Sequence, residues 1–204
     1  MKRTLYLVFL LGILLFDSCS TEEPKKPVVP ELKAKLAEPF RFHKSVEVKP
    51  GLTFDVLSWG RGSEHVGAFL ILRSDSSALK YRSVSGELEG SIADVWNMDM
   101  DADGNPEIFI HAKGGDKDSY LNMYVYEFND EGSSQEIRFP ELTASTKKAY
   151  HGKDSIFVKE GALFREFPLY DEADTAALKP TGKKLVEYSI RGNSFSVKEV
   201  KADE

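Results

Sequence analysis

The chain predicts an all-β fold, an antiparallel β-sandwich or flattened barrel with little helix. Three observations point there. Short segments with a two-residue hydrophobic period recur from Phe40 to Val200, turn signals rich in Gly, Asn, Asp and Ser separate them, and no amphipathic helix of useful length interrupts them. The 204 residues suffice for one domain with a real core and would be cramped for two.

From Phe40 the period is two: Phe40 and Phe42 alternate with Arg41 and His43, then Val46 and Val48 with Glu47 and Lys49. Pro50-Gly51 turns the chain into a second strand, Leu52 to Trp59, which Gly60-Arg61-Gly62-Ser63 ends. Val66 to Leu72 is nearly all apolar and reads as a strand buried on both faces, closed by the polar run from Ser74 to Ser77. Leu79 to Val84 and Glu87 to Ile92 read as two shorter strands. Ser91 to Met98 and Glu107 to Lys113 are strands around an Asp-rich loop, and Gly114 to Ser119 is a polar loop ahead of Tyr120 to Phe128.

In that last strand Leu121, Met123 and Val125 share one face, while Tyr120, Asn122, Tyr124, Tyr126 and Phe128 share the other. The Tyr face suits packing first and a binding platform second, since Tyr is a good strand former. Leu142 to Ala149 has room for one or two helical turns. Ser155 to Lys159 with Ala162 to Phe167, and Lys184 to Arg191 with Ser194 to Val200, read as hairpins closed by Glu160-Gly161 and Gly192-Asn193. The Asp motif occurs once, without the fixed-period copies of a propeller.

The start of the chain carries an address. Lys2 and Arg3 precede an apolar run, Leu5 to Phe16, too short to span a bilayer, so residues 1–18 read as a lipoprotein-type signal peptide. Cys19 follows immediately and is the only cysteine, which excludes an internal disulfide and suits lipidation. Residues 19–38, with Pro24, Pro27 and Pro30 among mixed charges, read as the lipidated Cys and a flexible tether, and residues 39–204 as a single β domain. Glu22 and Glu23, just behind Cys19, resemble the export signal of surface lipoproteins. The expected location is the bacterial cell envelope, as an outer-membrane lipoprotein facing the periplasm or the surface, with membrane contact through the lipid anchor alone.

Without residues 1–18 the chain keeps 25 basic and 32 acidic residues. Phosphates would be repelled by that balance, so nucleic acid is not an expected partner, whereas a basic protein would be attracted.

Asp99-Met-Asp101-Ala-Asp103-Gly104-Asn-Pro106-Glu107 sets carboxylates at alternate positions ahead of a Gly, which favours a loop. Asp99, Asp101, Asp103 and Glu107 suit a calcium ion, which takes oxygen ligands from a flexible acidic loop with a Gly at its sharp turn. Position twelve of an EF-hand would fall on Ile110, and no helices flank the loop; the spacing is closer to the calcium loops of integrin-type propeller blades. The structural alternative is a tight loop whose Asp side chains accept from its own N–H groups.

For catalysis the chain offers little. It holds no G-x-S-x-G, H-E-x-x-H or P-loop motif, and His43, His65, His111 and His151 are scattered. A non-enzyme is expected.

The run Ala93-Asp94-Val-Trp-Asn-Met-Asp99-Met-Asp101-Ala-Asp103-Gly104-Asn-Pro106-Glu107-Ile108, with the Gly-rich loop and Tyr120 behind it, resembles the central signature of the periplasmic inhibitors of invertebrate-type lysozyme. Tyr150-His-Gly152-Lys-Asp154, Gly161-Ala-Leu-Phe-Arg-Glu-Phe167-Pro168-Leu-Tyr170 and Pro180-Thr181-Gly182-Lys-Lys-Leu-Val-Glu-Tyr188 are similar to the C-terminal pattern of that family. The similarity runs from Ser91 to Ile190. It implies a small β-sandwich, often dimeric, so a homodimer is a possible partner state. It also implies that a loop ending near a Tyr enters the lysozyme cleft, a role that falls here on Gly114, Gly115, Ser119 and Tyr120. Where the family has Ser-Gly steps this loop carries Asp116, Lys117 and Asp118. That departure leaves room for an alternative, a non-catalytic envelope binding module for a glycan or another protein, with calcium in the Asp-rich loop.

Overall fold

The computed structural model describes residues 36–115, 120–173 and 179–200. Cys19, the signal peptide, most of the tether and the loop residues Asp116, Lys117, Asp118 and Ser119 lie outside the described residues. The described residues form one compact unit.

Among the described residues, twelve strands follow one another in three antiparallel meanders of four. The first sheet is β1 (Phe40–Lys49), β2 (Leu52–Trp59), β3 (Val66–Asp75) and β4 (Lys80–Glu89); the second is β5 (Ser91–Met98), β6 (Glu107–Lys113), β7 (Leu121–Phe128) and β8 (Ser134–Glu136). One short helix, α1 (Ala144–Ala149), is capped by the Thr143 hydroxyl, which accepts from the Thr146 N–H. The third sheet is β9 (Ser155–Lys159), β10 (Ala162–Tyr170), β11 (Pro180–Arg191) and β12 (Ser194–Val200). The all-β sandwich class is therefore realised, and among the described residues no sheet closes into a barrel.

The second sheet is the middle layer. Ile108, Ile110, Tyr126 and Phe128 on one of its faces pack with Phe54, Val56, Phe69 and Ile71 of the first sheet. Phe109 and Val125 on the other face pack with Leu163, Phe167, Val186, Tyr188 and Ile190 of the third. Adjacent β6 residues thus enter two different cores, as the pleat requires.

This layering revises two sequence expectations. β3 is buried on one face only, at Phe69, Ile71 and Arg73, because its sheet is an outer layer. The strand buried on both faces is β6, whose first six residues are all buried. The two short strands expected between Leu79 and Ile92 are one strand, β4, and Gly90 makes the turn into β5. The Tyr face of β7 is core: Tyr124 and Tyr126 pack 5.1 and 5.8 Å from Phe69, and Phe128 sits 4.8 Å from Phe54. The expected hairpins at Glu160-Gly161 and Gly192-Asn193 are formed, and Glu160 and Asn193 adopt positive φ.

Truncating a side chain of the middle layer should cost far more than truncating an edge residue. Phe109→Ala is expected to lower unfolding free energy by about 3 to 5 kcal/mol, as for other buried aromatics. Val197→Ala, on an exposed part of β12, should change it by less than about 0.5 kcal/mol. Urea denaturation of both variants checks this.

Candidate functional site

β6 runs between two loops that the sequence marks, the Asp-rich turn ahead of Glu107 and the Gly-rich loop behind Lys113. At the second loop, the Gly114 N–H donates to the Tyr120 carbonyl at 2.8 Å and closes the base of the hairpin. Gly115 is exposed on one side, and on the other a Cβ would come within 2.3 Å of the His65 ring. The absence of a side chain is thus used against the chain's own β2–β3 loop.

Tyr120 is half-buried, with its ring 5.3 Å from that of Tyr150. Below it lies a buried network. The Tyr150 hydroxyl donates to the Asp154 carboxylate and accepts from Arg165 Nη2 at 2.9 Å and from the Leu121 N–H at 3.4 Å, which uses its full hydrogen-bonding capacity. Arg165 Nε donates to Asp154 Oδ1 at 2.6 Å, and the two side chains are 5% and 2% exposed. The guanidinium also lies 5.1 Å from the ring centres of Tyr150 and Phe167. Burial and the bond to Asp154 push the Tyr150 hydroxyl well above the usual range for tyrosine, so it stays a donor at ordinary pH.

Two grooves adjoin the base of the loop at Gly114, Gly115 and Tyr120. One, of about 450 Å³, is lined by Tyr120, Met123, Phe139, Leu142 and Tyr150; the other, of about 600 Å³, by His65, Val66, Gly114, Gly115 and Tyr120. Gly114, Gly115 and Tyr120 are thus neighbours at one end of the middle sheet, while Ser119 is outside the described residues. Sequence reasoning did not name Tyr150, Asp154 and Arg165 as site residues. Their only signal was membership in the C-terminal pattern.

At the other end of β6 the Asp-rich turn is held by its own side chains. Asp99 accepts from the N–H groups of Asp103 and Gly104 at 3.1 Å each, and Asp103 from the Asn105 N–H at 2.8 Å. Ala102 and Gly104 have φ of 58° and 89°, the left-handed values a turn this tight needs. Glu107 Oε2 accepts from the Met100 N–H at 2.9 Å.

The fold adds a carboxylate that the motif could not show. Glu127 on β7 stands opposite Glu107 in register, an arrangement of like charges that normally destabilises a sheet. Asp99, Asp101 and Glu107 bring oxygens within 4.8 Å of one another, and Asp101, Asp103 and Glu127 do the same. Burial, reinforced by Asp101, Asp99 and Glu127, pushes the Glu107 carboxyl up to about 7, and burial also raises Glu127.

The histidines remain apart in role. His43 pairs with Asp55 at 2.8 Å, His65 abuts Gly115, His111 is buried in β6, and His151 meets Tyr170 edge-on. Searches against protein-family models, curated proteins and solved structures give no match to this chain.

Two outcomes follow. Arg165→Met leaves the Asp154 charge buried without its partner and should cost about 3 to 5 kcal/mol in urea denaturation, with much of the loss regained in Arg165→Met/Asp154→Leu. In chelator-containing buffer, the contribution of Glu107 to stability should fall as pH rises. Below the unfolded value of Glu107, 4.5, both states are protonated; between 4.5 and about 7 only the unfolded state releases its proton; above that the loss is complete. The total loss is about 3 kcal/mol, and Glu107→Gln should remove this part of the pH dependence, as measured by melting at pH 4.5 and 8.

Proposed function

We propose that this chain is a lipid-anchored inhibitor of lysozyme, which blocks a muramidase cleft with the loop 114–120 and performs no chemistry of its own. One observation supports the reading above others. The two separated halves of the lysozyme-inhibitor resemblance meet at the base of that loop: Tyr120 from the central signature packs on Tyr150 of the C-terminal pattern, whose hydroxyl is bound by Asp154 and Arg165. A loop that must enter a foreign cleft gains from a stiff base, because ordering it on binding then costs less.

The rest is consistent with that role. Gly115 is exposed, and the adjoining grooves could receive the rim of a partner. The acidic chain would speed its encounter with a basic enzyme. In the cleft, loop N–H groups, hydroxyls and Lys117 would meet the acids of the muramidase, while Asp116 and Asp118 would have to point away from them. The anchor at Cys19 and residence in the envelope belong to the same proposal.

The test is lysis of peptidoglycan by chicken-, goose- and invertebrate-type lysozymes with residues 36–204 added in molar excess. At least one enzyme should be slowed, and Tyr120→Ala with Ser119→Ala should weaken inhibition at least about tenfold, the effect of losing one interface anchor. Unchanged lysis by all three would refute the proposal.

A further inference from the structure

We propose that Asp99, Asp101, Asp103, Glu107 and Glu127 form a calcium site that ties the β5–β6 turn to β7. A run of acids in a turn does not make a site, and Asp99, Asp103 and one oxygen of Glu107 already accept turn hydrogen bonds. The two glutamates supply the independent evidence. Glu107 has no exposed surface and Glu127 only 8%. Glu107 Oε1, Glu127 Oε2 and Asp101 Oδ1 are buried without a hydrogen-bond partner among the described residues. Folding does not leave buried carboxylate oxygens in that condition without compensation.

All three residues belong to the two groups of converging oxygens, with Asp101 common to both. Among the described residues, no Lys, Arg or His forms an ion pair with any of the five. What would compensate them is a cation between them.

The donor set selects the cation by class. Five carboxylates offer hard oxygens and no nitrogen or sulfur, which favours calcium or magnesium over zinc or copper. Calcium accepts about six to eight oxygens at about 2.3 to 2.6 Å in irregular geometry, whereas magnesium requires about 2.0 to 2.1 Å and a regular octahedron. Oxygens that converge from an irregular turn and a neighbouring strand fit the larger, more tolerant ion. Glu127 is decisive: it carries the site across to β7 and turns the unfavourable pairing with Glu107 into shared ligation. Glu107 opens β6 and Lys113 closes it, so the site lies at the far end of the strand from the loop assigned to lysozyme, and neither proposal depends on the other.

The full chain in detergent, stripped with EGTA, is titrated with calcium chloride or magnesium chloride at constant ionic strength and followed by calorimetry and thermal melting. One calcium should bind per chain, and at a hundredfold excess over Kd the Tm should rise by about 5 to 10 °C. Glu127→Gln and Asp101→Asn should each weaken calcium binding at least about tenfold, while Asp130→Asn, on an exposed turn, should leave it unchanged. Neither heat nor a Tm shift at about 10 mM calcium, above the range of weak extracellular calcium modules, overturns the site. An equal response to magnesium overturns the choice of ion, and wild-type affinity in Glu127→Gln overturns the ligand set.

Discussion

β6 is seven residues long, and its first six are buried because a sheet packs on each of its faces. Ile108 and Ile110 enter one core and Phe109 the other, so a single strand holds together layers that would each lack a covered face without it. Fully burying side chains of this size is worth roughly 1.5 to 3 kcal/mol each, and in this strand the gain is made twice over, once per face. The outer sheets bury one face and leave the other to water, which is why Phe54, Val56 and Ile71 are inaccessible while alternate residues of the same strands are not.

A strand held from both sides is a firm base for what lies at its ends. At the Gly114 end the base is extended by the Tyr150, Asp154 and Arg165 network, which joins the β7 backbone at Leu121 to β10. A buried ion pair is a weak source of net stability, since desolvating both charges offsets most of their attraction. Its effect here is to set positions: the Tyr150 hydroxyl has one arrangement that satisfies all three partners, and Tyr120 packs on the ring so fixed. At the Glu107 end the same double burial has the opposite consequence, because two carboxylates carried into the layer lose water and find few donors.

Much of this molecule is legible along the chain. The alternation in β1 and β2, the Gly-Asn and Glu-Gly turns, and the Asp-rich and Gly-rich loops each declare themselves locally, because strand period and turn chemistry depend on residues two to four apart. Asp99, Asp101 and Glu107 converge, while Asp103 groups with Asp101 and Glu127 instead. The apolar run from Val66 to Leu72 misleads for a stated reason: hydrophobicity tells that a strand can be buried on both faces, and only the neighbouring layers decide whether it is.

What the sequence by itself determined is the class, the strand boundaries near their turns, and the acidic character of the chain, all consequences of side-chain period and composition. What only the tertiary structure decided is which strand lies in the middle, that Glu127 stands beside Glu107, and that Tyr150, Asp154 and Arg165 gather beneath Tyr120. These are contacts between residues distant in the chain, as Tyr120 and Tyr150 or Phe54 and Phe128 are, fixed by register and by the stacking of sheets. No local pattern encodes them, because the chain meets itself there only after the layers close.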